Sequence, residues 1–243
     1  SRSHHYTYRF AFVPESIGAI TYTSQRRQHL QDKVVAGFNL TCIGDDRAYT
    51  YLESRMGNLR IDRIAKRVLK TKPNPRHYTY LHRGSDERTY CAPGIDLPLI
   101  SLMRSRYGDY PEYHTSLDDL ESVVTPSGLQ GGFDFVRECI TELEEVPVLT
   151  ANCLAEPQLG RRNLYHSMLN KNTSDIVMTR TNILAYADGN HSVVDIAEYL
   201  GVTEASLEPV IYELERNDLM SRHRQRKSPM QDTVSYPQSS ADT

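Results

Sequence analysis

Between Gly84 and Leu120 the chain reads GSDERTYCAPGIDLPLISLMRSRYGDYPEYHTSLDDL, and no other stretch narrows the fold as much. Two short apolar runs, Ile95 with Leu97 and then Leu99, Ile100 and Leu102, mark a core strand with turn formers, acids and one histidine on either side. Polar residues gathered beyond the ends of a buried strand are the pattern of an α/β sheet, whose site loops lie there. Tyr113 to Asp118 reads as a loop entering a helix, with Thr115 or Ser116 as N-cap and Asp118 and Asp119 in the first turn. His114, just ahead of that helix and among tyrosines and carboxylates, is suited to metal binding. The alternative is a hydrogen-bonded surface histidine.

The segments before this stretch supply further elements. Tyr6, Tyr8, Phe10 and Phe12 alternate with Thr7, Arg9 and Ala11, which predicts a buried strand ending at Pro14. Glu15 then stands at the strand's carboxyl end as a candidate general base; the other reading is a carboxylate favoured by a helix N-terminus. Residues 17–32 read as a helix. Val34 to Ile43 is apolar nearly throughout, as a strand covered on both faces is. The acids that follow it, Asp45 and Asp46, can bind a metal or form a turn. Ile61, Ile64, Ala65, Val68 and Leu69 predict an amphipathic helix over 58–71, with Arg60, Arg63, Lys66, Arg67 and Lys70 on a solvated face. Tyr78 to Leu81 reads as a short strand. Leu129, Phe133, Val136, Ile140 and Leu143 predict the inner face of a helix over about 126–145 that closes the sheet.

Residues 147–175 read as a connector containing Glu156-Pro157-Gln158-Leu159-Gly160-Arg161-Arg162, whose proline and glycine suggest a shaped linker. Residues 176–222 form a second unit of three short helices. Ser192 caps the second helix, and Gly201-Val202-Thr203 turns into the third. This predicts a small all-α, winged helix-turn-helix-like domain. Its third helix carries Glu204, Glu208, Glu213 and Glu215 against Arg216, a face that repels a phosphate backbone. A protein-contact or structural role is therefore expected of it rather than DNA binding. The tail over 223–243, rich in Ser, Pro, Gln and Arg, is expected to be disordered.

The 243 residues carry a net charge of −3, so bulk electrostatics points neither to nucleic acid nor to an anionic membrane. No apolar run approaches the ~20 residues of a membrane span, and SRSHHYTYRF lacks the apolar segment of a signal peptide. A cytoplasmic protein with reduced thiols is expected, since Cys42, Cys91, Cys139 and Cys153 show no CxxC spacing. The chain starts without methionine and close to a predicted strand, which suggests a start inside a domain. His4 and His5 read as polar linker residues.

The order Ser85-Asp86, Gly94-Ile95-Asp96-Leu97-Pro98, then Tyr113-His114-Thr115 with Asp118 resembles the C-terminal part of the co-catalytic zinc aminopeptidases, which share a fold with glutaminyl cyclases. Phe12 to Gly18, Cys42 to Asp46, Gly84 to Gly94 and Glu156 to Gly160 resemble, more closely, bacterial proteins with an aminopeptidase-like domain associated with polysaccharide biosynthesis. The resemblance implies an α/β fold: residues 1–146 would be the C-terminal part of an aminopeptidase-like α/β/α sandwich, in an N-terminally truncated fragment. It implies hydrolysis of a peptide or aminoacyl-like substrate by metal-bound water, with Glu15 as base and His114 as zinc ligand. Asp86 and Asp118 would orient the site. The family's aspartate ligand position is Thr41 here, and its second glutamate position is Ser16. Asp45 or Asp46 would then substitute, or one metal position is lost, so a single zinc ion is expected. The rival implication is a binding or assembly protein that keeps the fold without catalysis.

Overall fold

The computed structural model describes residues 4–162, 164 and 171–225. The chain divides into two compact units, residues 8–139 and residues 4–7 with 140–225.

In the first unit, α1 (Ile17–Lys33), β1 (Gly37–Leu40), β2 (Tyr49–Leu52), α2 (Arg60–Lys70), β3 (Pro75–Tyr78), α3 (Glu87–Tyr90) and β4 (Leu99–Met103) follow in order. The strands form one mixed sheet in the order β1-β4-β2-β3, with β1 parallel to β4, β2 parallel to β3, and β2 antiparallel to β4. Directly opposed residues share a face, and successive residues alternate. Tyr51 and Leu102 are paired, and the Tyr51 hydroxyl donates to Asp62 on α2. Ser101, one residue away, donates to Glu87 on α3 at 3.1 Å. Helices α2 and α3 therefore cover opposite faces, which makes the sandwich three-layered.

The amphipathic reading of α2 holds, since Ile61, Ile64, Ala65, Val68 and Leu69 are all buried. Its basic face is not solvated throughout, because Arg60 and Arg63 are buried too. Asp62 replaces a capping side chain by accepting from Leu59 N–H at 2.8 Å, and it also accepts from Ser54 N–H at 2.9 Å and Ser54 Oγ at 2.6 Å.

Helix α4 (Pro126–Glu145) has the expected bounds but a different inner face. Phe135, Cys139 and Leu143 are buried, whereas Leu129 and Phe133 are exposed. The rotation follows from glycine. A Cβ at Gly128 would lie 1.9 Å from Gly44 O, and one at Gly132 would lie 2.4 Å from Ile43 O. The bare backbone lets the start of α4 press onto the chain leaving β1, and this docking decides which side chains turn inward.

Three strand readings need correction. Residues 6–13 form no strand, and Phe10 and Phe12 are 80% and 95% exposed. Their alternation fits a strand, but no neighbouring strand pairs with them among the described residues. The Val34–Ile43 run yields only the four residues of β1, half-buried at an edge of the sheet rather than covered on both faces. Tyr78 ends β3, and Tyr80–His82 is a 3-10 turn.

In the second unit, β5 (Val148–Ala151), α5 (Lys171–Tyr186), β6 (Asp188–Ser192), α6 (Val193–Leu200), α7 (Glu204–Arg216) and β7 (Met220–His223) follow. This unit is not all-α, because β5 is the middle strand of an antiparallel β6-β5-β7 sheet. The expected connector thus supplies a core element. Within the Glu156–Arg162 motif, Leu159 is buried in the same apolar cluster as Ile183, Ile196, Ile211 and Leu214. Ser192 caps α6 as predicted: its Oγ accepts from Asp195 N–H at 3.3 Å, and Asp195 accepts from Ser192 N–H at 2.8 Å. Gly201 closes the helix in the left-handed region.

The acids of α7 are not a free repelling face. Arg180 is buried and donates to Glu213 Oε2 at 2.9 and 2.6 Å, while Arg222 reaches Glu208 at 2.6 Å and Glu215 at 3.1 Å. The expectation of a disordered tail over 223–243 is corrected at its start, where His223 ends β7 opposite Val148, and from residue 226 onward it lies outside the described residues. No helix among the described residues is long and apolar enough to cross a membrane.

Candidate functional site

Because β1 and β4 are parallel in the register Gly37 with Leu99, their carboxyl ends share one edge of the sheet. Most of the residues singled out by sequence lie along that edge or in the loops above it.

Asp45 is buried and acts as a clasp between the two strand ends. Its Oδ2 accepts from Ser105 N–H at 2.7 Å, and its Oδ1 accepts from Ser105 Oγ at 2.8 Å and Arg47 N–H at 2.9 Å. Asp46 points to the start of α4, accepting from Thr125 Oγ1 and from Ser127 Oγ at 2.9 Å. Those two hydroxyls hold its carboxyl below the usual carboxylate range. The two adjacent acids therefore serve separate loops.

The segment from Tyr113 to Asp118 forms turns instead of the expected helix. Thr115 N–H donates to Glu112 O at 3.0 Å and Asp118 N–H to Thr115 O at 3.2 Å, and no helix continues from them. Two causes are visible. Leu117 and Leu120 are exposed, so a helix here would bury no apolar face. Asp119 Oδ1 also accepts from the N–H groups of Glu121 and Ser122 at 2.9 and 2.7 Å, a local alternative to helical bonding. His114 has φ +59°, is exposed, and stacks on Tyr113 with ring centroids 4.0 Å apart. Tyr113 packs against Tyr110 at 5.6 Å, and Tyr110 donates to Asp118 Oδ2 at 2.8 Å. The Tyr113 phenol is pushed up by burial and by the negative charges of Glu15 and Asp118. Asp118 and His114 are thus held against two tyrosines, whereas Glu15 is exposed. Cys42 has φ +46° and lies 3.6 Å from the Tyr110 hydroxyl; burial pushes its thiol up, so it stays protonated.

Asp86 acts on the residue after Glu15: its Oδ1 accepts from Ser16 N–H at 2.8 Å. The next residue, Glu87, is fully buried and was not singled out from the sequence. Its Oε1 accepts from Gly84 N–H at 2.6 Å, Ser85 N–H at 2.9 Å and Tyr107 OH at 2.9 Å. Its Oε2 accepts from Asn39 Nδ2 at 2.9 Å and Ser101 Oγ at 3.1 Å. Among the described residues, five donors and no cation hold this carboxylate, which fixes the Gly84–Asp86 loop to both strands. A signal was present: Asn39 and Ser101 are polar residues inside apolar runs, and they are register partners.

Zinc does not fit the donors found together here. Asp45 and Asp46 are engaged in separate loops, His114 faces solvent, and among the described residues no three His, Cys, Asp or Glu side chains form a metal-holding group. No chemical step is therefore assigned to a metal held by these residues.

A mixed three-layer α/β unit with its loops gathered at one sheet edge, joined to a helix-turn-helix with a small sheet, defines an aminopeptidase-like protein with a C-terminal winged helix. The chain belongs to the family described as "Domain of unknown function (DUF4910)", matched over residues 1–146, and residues 147–222 match a winged helix-turn-helix family. A Clostridium acetobutylicum protein, provisionally named a polysaccharide biosynthesis protein with aminopeptidase-like domain, is 36% identical over 202 residues, covering 81% of this chain and 45% of its own length. The chain thus spans under half of that relative. A crystal structure from Clostridium acetobutylicum, provisionally named a peptidase, superposes with TM-score 0.58 at 30% identity over 86% of this chain and 47% of that one. A zinc aminopeptidase from Bacillus subtilis gives TM-score 0.42 at 17% identity over 52% of this chain and 32% of that one.

Proposed function

We propose that this chain is the base-bearing part of an aminopeptidase-like protein that hydrolyses an amide or peptide bond in polysaccharide biosynthesis. Glu15 takes the proton from the water that attacks the carbonyl, and Asp86 sets its position through Ser16. The observation that carries this reading is the 2.8 Å bond from Ser16 N–H to Asp86, which fixes the turn that presents the exposed Glu15. The engagement of Asp45 and Asp46 elsewhere supports a second part of the proposal: residues 1–243 alone do not turn over substrate. The test is to assay residues 1–243 and a protein of the relative's full length on aminoacyl-anilides. Turnover by the long protein alone agrees with the proposal, and turnover by residues 1–243 contradicts it.

A binding or assembly role without catalysis is the second reading, favoured by the same internal use of both aspartates. Inactivity of the long protein on amide substrates would select it. For the C-terminal unit we propose a protein contact. The exposed residues of α7 include Ala205, Pro209 and Tyr212, with Arg216 as their cation. Its central strand β5 precedes the helices, so among the described residues no hairpin wing follows α7. Absence of a salt-sensitive shift with random duplex DNA at micromolar protein agrees with this role, and such a shift would overturn it.

A further inference from the structure

The amino ends of β2 and β3 lie beside the carboxyl end of β4, because β2 and β4 are antiparallel. A cleft of about 470 Å³ opens there, lined among others by Arg47, Arg76, Arg106, Tyr78, Asp109 and Tyr110. We propose that this cleft binds a small phosphomonoester, with the phosphate held by the three arginines. The site does not depend on the hydrolytic reading above.

Two of the guanidinium groups are already fixed. Arg47 holds Glu112 through both Nη atoms at 2.8 and 2.9 Å and lies 5.6 Å from the centre of the Tyr110 ring. Arg106 holds Asp109 at 2.7 Å and lies 4.5 Å over the Tyr78 ring. A guanidinium has five N–H donors, so each keeps donors for a ligand, and its fixed geometry lowers the ordering cost of binding. Arg76 is exposed, and no carboxylate among the described residues forms an ion pair with it; its charge reaches Asp109 and Tyr78 only at longer range. Three cations thus face one lining carboxylate.

The class of ligand follows from that balance. A monocarboxylate would meet Arg47 and Arg106 on equal terms with Glu112 and Asp109, and would have Arg76 alone as a fresh partner. A phosphate monoester carries up to two charges and three oxygens, enough to serve three forks at once. The cleft has room for more than phosphate, and a volume of this size is usual for a small-molecule site.

The test is titration calorimetry on the whole chain with glucose 1-phosphate and, separately, with inorganic phosphate, at low salt and pH 7.5. The proposal expects glucose 1-phosphate to bind, inorganic phosphate to bind more weakly, and Arg76→Ala to weaken binding at least tenfold. Arg26→Ala, an exposed arginine on α1, should leave affinity unchanged. Thermal melting of Arg76→Ala must match the parent, and Arg76→Gln serves if it does not. Failure of glucose 1-phosphate to bind, equal affinity for inorganic phosphate, or indifference to both Arg76 variants overturns the proposal.

Discussion

Ser16 N–H donates to Asp86 Oδ1 at 2.8 Å across 70 positions of sequence, in the one residue of that turn whose φ, +62°, lies in the left-handed region. Arg88 Nη2 adds a 3.3 Å bond to Ser16 Oγ from the same loop. A non-glycine residue held at positive φ needs such outside support, so Glu15 owes its position to the Asp86 loop.

Asp86→Ala should accordingly free the Ser16 turn. The expected loss is about 1–2 kcal/mol, because the donor is half-buried and water can partly replace its charged partner, read by urea unfolding. Asp86→Asn keeps an acceptor oxygen and should lose less. Equal stability of Asp86→Ala and the parent would show that the bond does not hold the turn.

Glu87 should prove more sensitive than its neighbour. Glu87→Gln turns an amide NH₂ toward groups that now donate to a carboxylate, from Gly84 and Ser85 N–H on one oxygen to Asn39 and Ser101 on the other. A loss of about 2–4 kcal/mol is expected, with Tyr107→Phe costing about 1.5–3 kcal/mol as one charge-assisted bond. Equilibrium unfolding that ranks Tyr107→Phe above Glu87→Gln would contradict this picture of the loop.

Much of the chain was readable because its signals are local. Ser192 with Asp195, the apolar spacing of Ile61 to Leu69, and Gly201 each act within one or two turns. The misreadings share another cause, which is that strands are made by partners. Phe10 and Phe12 alternate as a strand should, yet no strand lies beside them among the described residues, and β5, inside an apparent linker, gained two partners from residues far ahead. At the site, the sequence drew attention to Asp45 and Asp46, but only the fold reveals that Ser105, Thr125 and Ser127 hold them. Asn39 and Ser101 hinted at a buried carboxylate, and their pairing across β1 and β4 is what points to Glu87.

In the C-terminal unit, Arg180→Ala should be destabilising by about 1–3 kcal/mol, because it removes a buried guanidinium together with its charge-assisted bonds to the half-buried Glu213. Arg180→Met fills the space and should recover part of the loss when paired with Glu213→Gln. Thermal melting of the two single variants and the double variant measures this, and additive losses would contradict it.

Acid should weaken the same unit in a defined window. Partial burial pushes the Asp188 carboxyl up, but its bonds with the His191 ring at 2.9 Å and Asn190 N–H at 2.8 Å outweigh this and bring it down to about 2. A carboxyl depressed on folding contributes stability above its unfolded value, about 4, and loses it as pH falls through 2. Unfolding curves between pH 4 and 2 should show a smaller decline for Asp188→Asn than for the parent. Identical declines would remove Asp188 from the account.

The most direct test is Glu15→Gln in the longer aminopeptidase-like protein, assayed on an amide substrate. The amide keeps the shape of the side chain and removes its basicity, so turnover should fall at least ~100-fold, the scale of a lost general base, while the unfolding midpoint stays at the parent value. Unchanged turnover in a folded Glu15→Gln protein would contradict the assignment of Glu15 as the base.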